Sequence, residues 1–402
     1  MIVHFKVALV IGWIILILMI IICFSDCAFA ATSSDQSTTY LAKPVQQALQ
    51  AMNTTGIDQA WNRLQSQYGS YLPENGGELV SQVIKGDATF SLQGVVQGLL
   101  RFFMDTVFTN LRLLGMLIVL SVIAFTLDNV KSAFEEQTVS LIGQFVISLA
   151  LIILAISSFH QATSFATSAI QAMTDLMYAS LPIVLSLVMA TGGLTSAATL
   201  HPIVFLTVNT ISFIVLHFAF PLLFASAVLL MTSHLSGRLH VSGLADLMKT
   251  IVITTLGLSM TAFLGVMTLQ GSLASLRDGV TLKSVKFIAS NLVPVVGKAL
   301  SDATTSIAGG LLLVKNATGI ISAVVLLLIC AFPSLKILAL SLVYRLAGTL
   351  LQPVGDSPVI ATLSTISKTL TLLFAVTAVV GLMFFFSMII TVWITNTTAM
   401  VR

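Results

Sequence analysis

The amino-acid sequence predicts an all-α fold, a polytopic bundle of transmembrane helices around a duplicated, proline-broken helical core. Hydrophobic residues make up 57% of the 402 residues, the mean hydropathy is +1.03, and only 8% of residues are charged. A soluble domain carries about 25% charged residues, so this chain has too little charge to cover a soluble surface. Its apolar runs also reach the roughly 20 residues that a helix needs to cross about 30 Å of hydrocarbon.

The charged residues exclude one class of partner. The net charge of +3 comes from 18 basic and 15 acidic residues, without the basic blocks or interleaved aromatic residues that bind nucleic acid. We therefore expect a lipid bilayer around this chain and no nucleic-acid partner.

Residues 1–30 have the pattern of a signal peptide. Lys6 precedes an apolar run at 7–24, and the small-x-small triplet at 28–30 fits a signal peptidase site. The alternative is an uncleaved anchor, because a run of this length can just span a bilayer. Both interpretations place residue 31 outside the cytoplasm.

Residues 31–90 form the most polar stretch and are expected to be a small exported helical domain. Five apolar residues recur there at steps of three or four, which predicts one amphipathic helix. They are Ile57, Trp61, Leu64, Tyr68 and Leu72. The apolar stripe is expected to pack against the rest of this chain, with the membrane surface or another protein as alternatives.

Long apolar runs alternate with short polar joints over the rest of the chain. Residues 91–138 are expected to hold an interfacial helix and the first span, and residues 361–402 the last span and a C-terminal tail. Six runs are clear spans: 111–127, 139–159, 202–231, 250–270, 317–335 and 369–394. Three interrupted runs, 177–200, 287–313 and 337–351, are spans, re-entrant hairpins or half-helices, so the total is six to eight crossings.

Proline spacing indicates an internal repeat. Pro182 and Pro221 are 39 residues apart, and Pro294 and Pro333 have the same separation 112 residues later. An Ala-Phe-Pro triplet ends at both Pro221 and Pro333, so we expect repeat units at 139–249 and 250–360. If each unit crosses the membrane twice, the two units have the same orientation, and if each crosses three times, they are inverted. The positions of the charged residues slightly favour three crossings.

Motifs for chemistry are missing from the sequence. It contains no phosphate-binding loop, no metal-spaced Cys/His cluster, no HExxH and no nucleophile elbow, so we expect no catalytic residues, no metal and no cofactor. Polar groups inside apolar runs are costly in lipid and normally face protein or water. Asn209, His217 and Arg345 are therefore candidate pore residues, with interhelical hydrogen bonds or snorkelling to an interface as the alternatives.

Two further groups are candidates for a pore or gate. Arg277, Asp278, Lys283 and Lys286 form either a cationic mouth that attracts anionic solutes or a solvated interfacial helix. The prolines that end the two Ala-Phe-Pro triplets should kink or break their helices, either beside a solute path or as simple packing kinks. In lipid, each carbonyl that is freed needs another hydrogen-bond donor.

Several motifs occur in an order and spacing that resembles a known family. They are Gly192-Gly193-Leu194, Ser196-Ala197-Ala198, His201-Pro202, the segment 278–283, the segment 331–336, and Leu351-Gln352-Pro353 with Gly355 and Pro358. Over about residues 90–394 the sequence closely resembles the stage III sporulation protein AE family of endospore-forming Firmicutes. The family brings no catalytic residues to transfer.

The resemblance implies a multi-pass protein of the mother-cell membrane around the forespore, required for forespore development. Its implied partners are other stage III sporulation operon proteins, including a secretion-type ATPase and ring-forming proteins, and a forespore membrane channel protein. The chain would be a permease-like or channel subunit, or alternatively a non-conducting scaffold that anchors the rings. Polar residues around one continuous cavity would favour the first role, and locally paired polar residues in a closed bundle the second.

The signal-peptide assignment predicts that the mature chain begins near Ala31. N-terminal sequencing of protein extracted from membranes should recover the sequence that follows the 28–30 triplet. Recovery of Met1 or Ile2 would show instead that the N-terminal helix is retained as an anchor.

Overall fold

The structure is a computed structural model that describes the backbone of residues 55–72 and 92–400, apart from short gaps at the joints between helices. The signal peptide and its cleavage site lie outside the described residues. Every regular element in the described part of the chain is helical, which confirms the all-α class.

Nine α-helices follow one another along the described chain. They are α1 (Thr55–Tyr68), α2 (Leu92–Thr109), α3 (Leu111–Ala133), α4 (Gln137–Ala190), α5 (Leu194–Ile214), α6 (Phe220–Ser236), α7 (Ser242–Leu292), α8 (Val296–Leu351) and α9 (Pro358–Met400). A 3₁₀ turn, Gly69–Tyr71, follows α1, and another, Gln352–Val354, follows α8.

Six segments of the described residues are long and apolar enough to cross a membrane. They are Gln93–Thr126, Leu149–Ala190, Ala197–Ser233, Ser242–Leu269, Val314–Leu351 and Pro358–Trp393. Each of the two expected repeat units contains two of these segments. This count covers the described residues only, so the number of crossings per unit stays a prediction.

The antiparallel pair α8 and α9 forms the centre of the bundle, and α4 packs against both. Small residues let the two backbones approach closely, as is common between membrane helices. A Cβ atom on Gly319 of α8 would collide with Val392 of α9, and one on Gly381 of α9 would collide with Cys330 of α8. These contacts fix the spacing of the pair at two levels along their shared length.

Hydrogen bonds donated by side chains join α8 to α4 and, outside the centre, α6 to α7. Tyr344 of α8 donates its hydroxyl to Ser158 of α4 at 2.7 Å. Further out, Ser226 of α6 donates to the carbonyl of Ala245 in α7 at 2.9 Å. Helices α3, α5, α6 and α7 therefore form a shell around α4, α8 and α9.

The amphipathic helix expected in the exported segment is α1, and all five apolar residues of its stripe are buried. They pack against α4 and α8, as expected for contacts within the chain. The approach is closest at Gly56, where an added Cβ would lie 2.5 Å from the Cβ of Ala179 in α4. The stripe is thus covered by the membrane helices of the same chain.

The prolines affect their helices differently. A π-helical turn, Val215–Ala219, lies just before Pro221, and the Phe220 amide donates to the Val215 carbonyl five residues back. The wider turn accommodates a residue that has no amide hydrogen and whose ring would collide with the carbonyl four residues earlier. Pro182 and Pro333 instead lie inside helices that continue on both sides.

Two of the three interrupted apolar runs belong to long helices that continue through the interruption. Residues 177–190 are the end of α4 and residues 337–351 are the end of α8, so neither forms a separate half-helix. Helix α4 has 54 residues, and at 1.5 Å per residue it is about 80 Å long, which is well over the thickness of a bilayer. The run at 287–313 includes the undescribed joint before α8, and its side chains lie outside the described residues.

The α8–α9 contact predicts the effect of a Gly319→Ala substitution. Alanine favours a helix over glycine by about 1 kcal/mol, but overpacking typically costs about 1–3 kcal/mol, so we expect a net loss of up to about 2 kcal/mol in unfolding free energy. Thermal unfolding of the purified protein in detergent measures the change. Adding Val392→Ala removes the colliding methyl groups and should recover most of the loss.

Gly257→Ala is the matched control, because an added Cβ there meets nothing within 4 Å. It should leave the unfolding midpoint unchanged or slightly raised. If Gly319→Ala behaves like this control, the α8–α9 spacing is not set by that glycine.

Candidate functional site

The candidate pore residues whose side chains the structure describes do not surround one cavity. Asn209, His217 and Pro221 lie on the exposed side of α5, the π turn and α6, and Arg345 is exposed on α8. Pro333 is half-buried inside α8. The side chains of the candidate cationic mouth, Arg277, Asp278, Lys283 and Lys286, belong to α7 and lie outside the described residues.

Three exposed residues of α5 and the π turn form a stripe that we call the outer stripe: Asn209, Phe213 and His217. They are four residues apart and so lie near one another on the surface. The rings of Phe213 and His217 stack with centroids 4.8 Å apart. Two hydrogen-bonding side chains are thus presented outward from a segment that is otherwise suited to lipid.

Inside the bundle, most buried polar side chains have a partner nearby. Ser341 of α8 lies 2.7 Å from Thr371 of α9 and donates to the carbonyl of Ser367 at 2.9 Å. The hydroxyls of Thr174 in α4 and Ser212 in α5 are 2.9 Å apart. The described interior is therefore held by short polar contacts between neighbouring helices.

A cluster of aromatic rings joins α1 to the membrane helices, and we call it the aromatic junction. Tyr68, the last residue of α1, stacks on Phe332 of α8 with centroids 4.1 Å apart and planes 2° apart. Phe102 of α2 meets both rings edge-on, at 5.4 Å and 5.0 Å. Burial raises the pKa of Tyr68, so its hydroxyl stays neutral at ordinary pH.

Lys336, one turn beyond Phe332 in α8, lies beside the aromatic junction. Its Nζ atom is 5.2 Å from the centroid of the Tyr68 ring, 5.9 Å from that of Phe102 and 5.0 Å from that of Phe165 in α4. Distances within about 6 Å of a ring face are those of cation–π interactions. The ammonium group thus contacts rings from three different helices.

A pocket of about 310 Å³ opens next to Lys336, and we call it the junction pocket. Its lining residues are Tyr71, Phe102, Asp105, Thr106, Thr109, Asn110, Gln161, Phe165, Lys336 and Leu340. The Tyr71 hydroxyl donates to the Asp105 carboxylate at 3.0 Å. Burial and this hydrogen bond both raise the pKa of Tyr71.

Sequence reasoning missed the junction pocket. The sequence pattern places Tyr68 in an apolar stripe and Lys336 at the end of the 331–336 motif. A lysine three residues after a proline, inside an apolar run, was an available signal because charge within a span is costly. Asp105 carried no comparable signal, since it lies in the less apolar approach to the first span.

Comparison with known proteins identifies the family. The family model of stage III sporulation protein AE matches residues 75–395. The chain is 36% identical over 394 residues to stage III sporulation protein AE of Bacillus subtilis (strain 168), covering 97% of this chain and 99% of that protein. The chain belongs to the stage III sporulation protein AE family. No solved structure matches it.

Membership in the stage III sporulation protein AE family confirms the resemblance found in the motifs and implies a role in sporulation. The six apolar segments indicate a multi-pass membrane protein. The match to the Bacillus subtilis protein extends over nearly the whole chain, beyond the limits of the family model.

The aromatic junction predicts that Tyr68→Ala will loosen α1. Loss of a buried aromatic ring typically costs about 3–5 kcal/mol, and each tenfold change in an equilibrium corresponds to about 1.4 kcal/mol. We expect protease to cut residues 55–72 at least about tenfold faster in the purified protein, as measured by mass spectrometry of the fragments.

Tyr68→Phe keeps the stacked ring and is the matched control, with cleavage close to the parental rate. Parental cleavage of the alanine variant would mean that α1 is held without this stack.

Proposed function

We propose that the chain is a membrane-embedded, permease-like or channel subunit of the stage III sporulation complex that links mother cell and forespore. Any solute path would run along a surface between subunits, not through one bundle. The outer stripe carries this proposal, because it places an amide and an imidazole on the outside of a candidate membrane span. Family membership supports the sporulation role.

Energetics explain why the outer stripe needs a neighbour. Hydrogen-bonding groups in hydrocarbon lose their water without gaining a partner, and such residues usually face protein or a water-filled cavity. A second protein surface opposite Asn209 and His217 would remove both side chains from lipid. If that surface is another subunit of the complex, the space between them can hold water and solute.

The π turn beneath His217 adds to this interpretation. Such turns are rare and often occur at functional sites, and this one lies just before Pro221. The second proline, Pro333, lies beside the aromatic junction and not at the outer stripe. We therefore assign a place near the path to Pro221 and a structural place near the exported helix to Pro333.

The proposed membrane is the mother-cell membrane around the forespore, with residues 31–90 exported to the side of the space between the two membranes and α1 packed against the spans. Six crossings after an exported N-terminal segment would put the joints near Lys131 and Arg238 in the cytoplasm, as the positive-inside rule favours, but the basic segment at 277–286 on the outer side, against that rule. The basic segment at 277–286 would then lie on the same side as the exported domain. There it would suit a cationic mouth for anionic solutes.

In this proposal, partner proteins supply the energy source and the rest of the path. The sequence contains no nucleotide-binding loop, so energy would come from the secretion-type ATPase of the complex. Ring-forming proteins and the forespore membrane channel protein would continue the path across the intermembrane space. No cofactor and no catalytic step are assigned to this chain.

A second candidate function is a non-conducting scaffold that anchors the rings. The paired polar groups between α4, α5, α8 and α9 favour it, because they hold a closed bundle and leave few interior groups for a solute. The two functions differ in one observable, which is whether water reaches the outer stripe in the assembled complex.

Cysteine labelling distinguishes the two functions. In membranes from sporulating cells, a charged, membrane-impermeant thiol reagent should label Asn209→Cys and His217→Cys, because a solute path is wet. Leu258→Cys is the matched control, since Leu258 is 70% exposed on apolar α7 and should face lipid. The native Cys330 is buried and should stay unlabelled.

Failure of both stripe variants to react, in cells that accumulate the protein and sporulate normally, would reject a path at the outer stripe and favour the scaffold. Loss of labelling at Asn209→Cys and His217→Cys when the other operon proteins are absent would show that their presence creates the path.

A further inference from the structure

The junction pocket holds two opposite charges that do not neutralise each other directly. Asp105 of α2 and Lys336 of α8 both line it, and no direct ion pair joins them among the contacts of the described residues. Lys336 is held by the faces of aromatic rings, which attract a cation without removing its positive charge. The pocket therefore offers one positive and one negative group to whatever occupies it.

Both charged groups have bonding capacity left. An ionised carboxylate can accept about four hydrogen bonds, and the one described bond to Asp105 comes from the Tyr71 hydroxyl. An ammonium group has three donors, and no hydrogen bond to the Lys336 ammonium is described. A ligand can bind both residues without displacing any hydrogen bond described here.

The remaining walls combine apolar and polar surfaces. Phe102, Phe165 and Leu340 contribute apolar surface to the lining, and four other lining residues contribute hydroxyl and amide groups. The latter are Thr106, Thr109, Asn110 and Gln161. Small-molecule sites typically have volumes from about 300 Å³ upward with mostly apolar walls and a few placed polar groups, and this pocket of about 310 Å³ is at the small end of that range.

We propose that the junction pocket binds a small zwitterion with an apolar side chain, of the size and chemistry of a leucine-like α-amino acid. The ligand's ammonium group faces Asp105, its carboxylate faces Lys336, and its side chain packs on Phe102, Phe165 and Leu340. This recognition site is separate from the outer stripe, so it does not depend on whether the chain conducts.

Charge balance favours a zwitterion over a simple ion. A monovalent anion would neutralise Lys336 but stay near the uncompensated Asp105, and a monovalent cation would have the reverse problem. Water alone can bridge two charges, but a pocket of this volume has room for about ten waters at roughly 30 Å³ each. Displacing them with a ligand that has an apolar side chain adds hydrophobic stabilisation.

Binding of L-leucine to the full-length protein in lipid nanodiscs tests the proposal. Radiolabelled L-leucine should bind saturably, and unlabelled L-leucine should compete. Two analogues of nearly the same shape carry one charge each: 4-methylpentanoate lacks the ammonium group and 3-methylbutylamine lacks the carboxylate. Each should compete at least about tenfold more weakly than leucine.

Variants locate the site. Asp105→Asn and Lys336→Gln should each weaken binding at least about tenfold, whereas Lys368→Gln, an exposed charge on α9 outside the pocket lining, should have no effect. Thermal unfolding shows whether each variant is folded. The analogue competition uses the parental protein, so it stays decisive even if a variant does not fold.

Three outcomes overturn the proposal: no saturable leucine binding by the parental protein, equal competition by either analogue, or parental binding in folded Asp105→Asn and Lys336→Gln variants. None of these outcomes bears on water access at the outer stripe, so failure here is distinguishable from failure of the proposed function.

Discussion

The close approach of α8 and α9 is the contact on which the rest of the structure depends. In hydrocarbon, apolar side chains gain little by leaving lipid for protein, so helices associate mainly through dense packing and short hydrogen bonds. Gly319 and Gly381 remove the side chains that would separate the two backbones, and Ser341 then reaches the carbonyl of Ser367. Helix α4 packs on both members of this pair, and the outer helices pack on α4 and α9.

The exported helix depends on the same centre. Helix α1 ends in Tyr68, which lies flat on Phe332 in the middle of the α8 candidate span. One turn away, Lys336 faces rings of α1, α2 and α4. A movement of α8 at the level of Phe332 would therefore change the contacts of α1, because the two helices share packed aromatic rings.

The sequence predicted helical content, most apolar segments and the buried stripe of α1, because these follow from composition and periodicity. It did not predict that α4 and α8 continue through Pro182 and Pro333. A proline inside a helix removes one backbone hydrogen bond, and packing along a long helix can outweigh the free-energy cost of that loss.

The candidate functional site, too, can be predicted only in part from the sequence. Polar residues within a span, such as Asn209 and Arg345, can be found by reading the sequence, but the side of the bundle that each one faces is decided by neighbours distant in the chain. The junction pocket combines residues from α2, α4 and α8 and from the turn after α1. No spacing rule brings Tyr71, Asp105 and Lys336 together, because their proximity is created by tertiary packing.

The π turn before Pro221 sets the rotational phase between α5 and α6. One residue corresponds to about 100° of rotation around an α-helix. The additional residue in this turn therefore rotates all of α6 relative to the α-helical continuation of α5, and that rotation points Ser226 at the Ala245 carbonyl of α7. Removal of a single residue at 215–219 would restore a regular α-helix and still leave a span of sufficient length. It would also turn Ser226 away from α7. The π turn therefore allows α5 and α6, which are otherwise regular helices, to face different neighbours.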